Sequence, residues 1–184
     1  GADLSPGGIM FSDGSPLTVG EMGHAVLRRL GELPFPSVAV LNGLALGGGL
    51  ETALHCSYRV SSDVSGPFAL PEVHLGLIPG WGGAYLLPRL IGPTAACKAI
   101  IENPLSGNRM LSVADALTLG VVDVVLPSAS LIDDTIAWTR DLLSGRSSVT
   151  RHEYGEADWT AAAAKARAFI EARTHNAFPA PGMA

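Results

Sequence analysis

The chain has 184 residues, 47% of them hydrophobic and 16% charged, with a net charge of −5. That length suits one domain with a sizeable core rather than two large ones, and scattered Lys and Arg in an acidic chain argue against a nucleic-acid groove. A charged fraction well below the roughly 25% of an average soluble domain predicts that part of the surface is covered by other subunits.

Residues 1–16, rich in Gly, Pro and Ser, read as loop. Val19, Met22, Val26, Leu30 and Leu33 recur at helical spacing and predict a helix that ends before Pro34. "SVAVL" (37–41) reads as a buried strand because it is wholly apolar and rich in β-branched residues. After the glycines of "LNGLALGGG", "LETALHC" predicts a helix and "YRVSS" a second strand. "FALPEVHLGL" predicts a short strand broken at Pro71, and "PGWGG" a loop into a helix, "AYLLPRLIG", kinked or interrupted at Pro88. A further helix begins at Pro93. "SVADALTLG" predicts a helix with Ser112 as cap, Asp115 completing a capping box and Gly120 as stop. "VVDVVLP" reads as a strand, and helices follow around 128–144 and 158–173, the second with Trp159, Ala163, Ala166 and Ile170 on one face. The class is α/β with a helical C-terminal region, divided into a core over residues 1–127 and a helical part over 128–184.

Leu33–Leu50 carries no charge, but its two Pro, four Gly and one Asn make a poor spanning helix, so no membrane association is expected. No signal peptide or basic leader is visible. Cys56 and Cys97, without a CxxC partner, read as buried free thiols of a cytoplasmic protein; neither a disulfide nor a metal site is expected.

Chemistry points to two glutamates in apolar surroundings. Glu51 closes "GGGLE", and Glu72 has no Lys or Arg within five positions. Carboxylates in apolar clefts gain raised pKa values and suit proton transfer near neutrality. Either alone also reads as a solvated loop glutamate or a helix-terminal charge; the pair beside glycine-rich turns favours chemistry. The glycine turn entering a helix leaves backbone N–H donors free, suited to phosphate or to a developing oxyanion. No GxxxxGK[ST] or GxGxxG pattern fits "GLALGGG", so the oxyanion is preferred to a nucleotide phosphate, with a merely tight turn against the sheet as the other reading. His74 reads as a core or loop residue. His55 and Cys56, adjacent on a helix, point apart and form no nucleophile pair. Trp81 reads as a packing or pocket-lining ring.

"PSVAVLNGLALGGGLETALHCSYRVSS", "FALPEVHLGLIPGWGGAYLLPRLIG" and "LSVADALTLGVVDVVLP" strongly resemble the crotonase superfamily, and within it the enoyl-CoA hydratases. The resemblance implies a crotonase-like fold of repeated ββα units with a C-terminal trimerisation region, and water addition to a 2-enoyl-CoA thioester. It implies an oxyanion hole from the N–H groups of Gly48 and of Ala2 in "GADL", and two catalytic carboxyls, Glu51 as base and Glu72 as acid. Asp3, Leu4, Gly47, Gly80 and Trp81 are the further positions expected at the substrate. Coenzyme A is part of the substrate, so no separate cofactor is expected. Homotrimers, often paired into hexamers, are implied, with residues 93–144 packing on a neighbour because Leu117, Leu119, Ile132, Ile136 and Leu143 exceed what this chain can cover. The segment that precedes "GADL" in crotonases is absent from the sequence, so the first strands are expected to be missing and the chain to be a piece of a longer protein. "KARAFIEARTHNAFPAPGMA" resembles the linker after the hydratase domain of bifunctional hydratase/dehydrogenase chains; with no dinucleotide fold, dehydrogenase activity is not expected. The alternatives are a crotonase isomerase that shuttles a proton with one glutamate, and a non-catalytic acyl-CoA-binding or scaffold subunit.

Overall fold

The computed structural model describes residues 19–175, 177 and 179–184, so Ala2, Asp3 and Leu4 lie outside the described residues. Helix α1 (Val19–Gly31) leads to strand β1 (Val38–Leu41), the two-residue strand β2 (Ala45–Leu46) and helix α2 (Gly48–His55). The pattern then repeats with β3 (Tyr58–Ser62), β4 (Phe68–Ala69), a 3₁₀ turn over Glu72–Leu75 and helix α3 (Gly83–Ile91). In each repeat the first strand joins one parallel sheet and the second joins another. β1 pairs with β3 from Val38↔Tyr58 onward, while β2 pairs with β4 at Ala45↔Phe68. This is the ββα spiral expected of a crotonase fold. Strand β5 (Val124–Leu126) adds to the other edge of β3, giving the order β1-β3-β5.

The edge position of β1 corrects one expectation: its four residues are all half-buried rather than buried, because among the described residues only β3 flanks it. Helix α3 also differs, running unbroken to Ile91 through the buried Pro88, with Gly92, at φ 88°, closing it by an N–H bond to the Pro88 carbonyl. Pro88, having no N–H, leaves out the one helical bond that would reach the Ala84 carbonyl, and the helix continues on either side of it. After α4 (Pro93–Cys97) the helix widens to a π-type turn over Lys98–Glu102 before α5 (Asn103–Leu105). Helix α6 (Val113–Leu119) has the expected capping box: the Asp115 N–H donates to Ser112 Oγ at 3.1 Å and the Ser112 N–H to Asp115 Oδ2 at 3.1 Å.

The core forms where α2, α3, the π-type turn and the small sheet converge, around Leu50, Phe68, Leu70, Val73, Leu87 and Val121. Beneath it the buried Arg59 ties β3 to the loop before β5. Its Nε donates to the Val121 carbonyl at 2.8 Å, its NH1 nitrogen to the Cys56 carbonyl at 2.8 Å, and its backbone N–H to Asp123 Oδ2 at 2.8 Å. Such a buried charge is tolerable because each guanidinium nitrogen has an acceptor and the Asp123 carboxylate, 3.4 Å from NH2, pairs the charge. Arg151 reaches the same Asp123 at 2.7 Å and anchors the segment that leads into the last helices.

The C-terminal region comprises α7 (Leu131–Leu143), α8 (Glu156–Thr174) and the short α9 (Ala180–Met183). Helix α8 buries Ala162, Ala166, Ile170 and Thr174, an i, i+4 stripe whose alanines permit close approach to α4. The expected face is thus rotated slightly: Ala163 is half-buried and Trp159 is exposed. On α6 and α7, Leu117, Ile132, Ile136 and Leu143 are exposed, as the composition implied, whereas Leu119 is half-buried. Both cysteines are free, as expected, but half-buried rather than buried.

Candidate active site

Gly47 answers why the chain places glycines in so apolar a neighbourhood. It adopts φ 52° and ψ −128°, a conformation that disfavours any side chain, and a Cβ there would stand 2.8 Å from Glu72 Oε1. Its N–H continues the small sheet by donating to the Ala69 carbonyl at 2.9 Å, and its carbonyl receives the Glu51 N–H at 2.9 Å. The chain therefore leaves a strand and enters α2 in one residue. At the mouth of α2 the N–H groups of Gly48, Gly49 and Leu50 have no carbonyl four residues back within the helix. The axial dipole adds partial positive charge at the same point.

The first turn of α2 also carries Glu51, 3% exposed, whose Oε1 accepts the N–H groups of Trp81 and Gly83, each at 2.8 Å. Those donors come from the loop between the 3₁₀ turn and α3. A Cβ on Gly83 would lie 3.0 Å from Glu51 Oε1 and 2.8 Å from Pro79 Cβ, so a larger residue would push the donor away. Glu72 opens the 3₁₀ turn behind Pro71, half-buried, and its Oε2 is buried without a hydrogen-bond partner among the described residues.

Burial raises both carboxyls. Glu72 is pushed from its ordinary 4.5 to about 7, chiefly by loss of solvent, against a lowering by its own N–H, with a lesser upward contribution from the nearby Glu51 charge. Glu51 is also raised by burial, but the Gly83 and Trp81 N–H groups, then His55 and His24, work in the opposite direction. The two carboxyls therefore differ: Glu51 is capped by two N–H donors that favour its charged form against burial, whereas Glu72, with no such donor on its buried Oε2, keeps a proton near neutrality. That combination can take a proton from a water molecule and give one to carbon.

Gly47, Gly48, Glu51, Glu72 and Trp81 are brought together as a cluster. The Trp81 indole packs against Gly48, where a Cβ would meet the ring at 2.6 Å, and against Gly23 of α1. Gly80 precedes it, exposed, its nearest neighbour on the Cβ side being the Ile78 carbonyl at 3.7 Å. His74 is exposed. Sequence reading weighs His55 only against Cys56 and gives Gly82 and Gly83 no role, whereas His55 is 9% exposed with Nε2 2.7 Å from the Trp81 carbonyl; the available signal was that His55 lies one helical turn beyond Glu51. Among the described residues no three His, Cys, Asp or Glu side chains are grouped to hold a metal, and no helix is long and apolar enough to cross a membrane. An apolar cavity of about 220 Å³ lies between α3, α4 and α8, against Pro88, Ile100 and Ala166, and includes neither glutamate.

Residues 14–180 match the sequence model of the enoyl-CoA hydratase/isomerase family. Among similar proteins, the fatty acid oxidation complex subunit alpha of Shewanella frigidimarina is 39% identical over 137 residues, 74% of this chain and 19% of its own length. The peroxisomal fatty acid beta-oxidation multifunctional protein MFP2 of Arabidopsis thaliana is 40% identical over 111 residues, 60% of this chain and 14% of its own. Among solved structures, an enoyl-CoA hydratase from Bacillus anthracis superposes with a TM-score of 0.61 at 34% identity, covering 68% of this chain and 46% of that one. The chain thus spans a fifth or less of these curated relatives and about half of the solved one.

Proposed function

The chain belongs to the enoyl-CoA hydratase/isomerase family, and from that premise we propose that its site adds water across the double bond of a 2-trans-enoyl-CoA to give a 3-hydroxyacyl-CoA. The observation that carries this reading is the pair of buried carboxyls, one capped by two N–H donors and the other not, beside the Gly48 N–H, which has no partner among the described residues. A water between the two glutamates gives a proton to Glu51 as its oxygen bonds to C3, and Glu72 delivers a proton to C2. Negative charge meanwhile passes to the thioester oxygen, where the Gly48 N–H at the positive end of α2 receives it; such a donor is worth about 3 kcal/mol in comparable sites. Ala2 is the expected second donor. Asp3, Leu4, Gly47, Gly80 and Trp81 complete the proposed substrate contacts, and the acyl-CoA is both substrate and carrier of the coenzyme.

Fatty-acid oxidation is the setting this reading favours, since the relatives from Shewanella and Arabidopsis carry that process in their names. The test uses the protein at full length with crotonyl-CoA: loss of the enoyl-thioester absorbance with 3-hydroxybutyryl-CoA as product supports hydration. A 3-enoyl-CoA converted to 2-enoyl-CoA without hydroxylated product supports the isomerase instead, and binding without turnover supports a scaffold role. The retained Glu51 favours hydration over a one-glutamate isomerase.

The same reading includes a homotrimer, or a hexamer of two, in a reducing compartment such as the cytoplasm, where two free, half-buried thiols are stable. Leu117, Ile132, Ile136 and Leu143 remain exposed on α6 and α7 and supply the apolar contact. At about 25 cal/mol per Å², covering a few hundred Å² of such surface gives several kcal/mol. Ile136→Glu is expected to dissociate the assembly and reduce hydration together; light scattering that finds a fully active monomer refutes that coupling.

A further inference from the structure

We propose that His55 is a positioning residue that clamps the 80–83 loop onto α2 and thereby holds the Trp81 and Gly83 N–H groups on the Glu51 carboxyl; this rests on the hydratase reading of the same site. Three consecutive peptide units of the loop are held by two side chains one helical turn apart. The outer two give their N–H groups, from Trp81 and Gly83, to Glu51 at 2.8 Å. The middle one offers its carbonyl, that of Trp81, to His55 at 2.7 Å. A carbonyl only accepts, so Nε2 carries the hydrogen. Gly82, between them, has φ 112°, and a Cβ there would come within 2.8 Å of His55 Nε2, so the imidazole occupies the space that glycine leaves.

Without the His55 bond the loop loses the anchor between its two N–H donors, and the Trp81 and Gly83 N–H groups are held to Glu51 less firmly. Burial then acts on that carboxyl with less opposition, which raises its pKa and removes base at a given pH. The Trp81 ring, which packs on Gly48, shifts with the same peptide. Other titratable groups around this corner are His24 of α1, its ring centroid 6.3 Å from that of His55 and edge-on, together with Cys56 beside His55 and Glu72 across the pocket. Because the Nε2–H is present in both the Nε2-protonated neutral ring and the cation, protonation of His55 does not by itself release the clamp.

The test compares His55→Leu and His55→Gln with wild type in the full-length protein, by hydrogen exchange of peptides spanning residues 79–86 and by pH profiles of crotonyl-CoA hydration. His55→Leu is expected to speed exchange in that segment about tenfold and to lower kcat by roughly the same factor with a smaller change in KM, as loss of one hydrogen bond of ordinary strength allows. Its acid limb moves to higher pH. His55→Gln, whose side-chain amide can donate to the same carbonyl, recovers part of both effects. Wild-type exchange in His55→Leu overturns the clamp whether or not the protein hydrates. Faster exchange with an unmoved acid limb, or faster exchange throughout the protein with Gln no better than Leu, overturns its link to Glu51. A wild-type protein that fails to hydrate refutes the hydratase reading alone, since the exchange comparison still reads the clamp.

Discussion

Glu72→Gln is expected to lower kcat for hydration by about 10²–10⁴-fold, the range for loss of a general acid, while stabilising the fold above neutral pH. Both effects have the same origin. The Glu72 carboxyl is pushed to about 7 by burial and by Glu51, so the folded protein keeps a proton that the unfolded chain loses near 4.5. For a group raised in this way, the contribution to stability is fully present below about 4.5 and declines as pH rises, reaching its full loss above about 7. The decline amounts to about 2–3 kcal/mol for a shift of this size. Gln is neutral throughout and escapes it. The melting temperature of Glu72→Gln should therefore be close to that of wild type at pH 4 and higher at pH 8. Wild-type kcat should fall as pH rises through about 7 and Glu72 loses the proton that it delivers to carbon, and that limb should vanish in the variant. Near-wild-type hydration by Glu72→Gln, or a stability difference that narrows toward pH 8, refutes the acid role.

The local signals in the sequence proved reliable where they rest on backbone chemistry. The Ser112–Asp115 capping box and the Gly120 stop bound α6 as read, because each satisfies or releases specific terminal groups of the helix. The succession of "SVAVL", the glycine turn and "LETALHC" was legible as strand, turn and helix because a β-branched apolar run and a run of glycines each favour their own local backbone. What the sequence could not carry is the long-range part. The burial of β1 depends on what flanks it, not on its own apolarity. Two of the partners of Arg59, Val121 and Asp123, lie more than sixty positions away, and nothing local distinguishes that arginine from a solvated one. The candidate site divides in the same way. Both glutamates were visible as isolated charges in apolar surroundings, but the asymmetry between them comes from loop 80–83 folding back onto α2. His55 was read against its neighbour Cys56, whereas its partner is a carbonyl 26 positions later.

Glu51→Gln and Glu51→Ala should separate the chemical from the architectural share of that residue. The Glu51 carboxylate is both the proposed base and the acceptor that holds two buried N–H groups, from Trp81 and Gly83. Gln retains an oxygen at the same reach, so the loop stays in place and the cost in stability should be within about 1–2 kcal/mol, that of exchanging a charged acceptor for a neutral one. The amide cannot take a proton from water near neutral pH, so hydration should fall by about 10²–10⁴-fold. Ala leaves both donors unpaired in a buried site, and an unsatisfied buried group costs about 1–3 kcal/mol, so a further loss of about 2–5 kcal/mol is expected, measured by denaturant unfolding. Faster hydrogen exchange over residues 79–86 should accompany it in Ala but not in Gln. The pair also discriminates between the two enzyme readings. A one-glutamate isomerase working through Glu72 would keep moving the double bond of a 3-enoyl-CoA in Glu51→Gln, whereas a hydratase loses water addition because no second base replaces it. Combining Glu51→Gln with Glu72→Gln should cost far less than the product of the two single losses, since carboxyls that act on one water fail together. Fully multiplicative losses would mean that the two glutamates work in separate steps, and would overturn the shared-water mechanism.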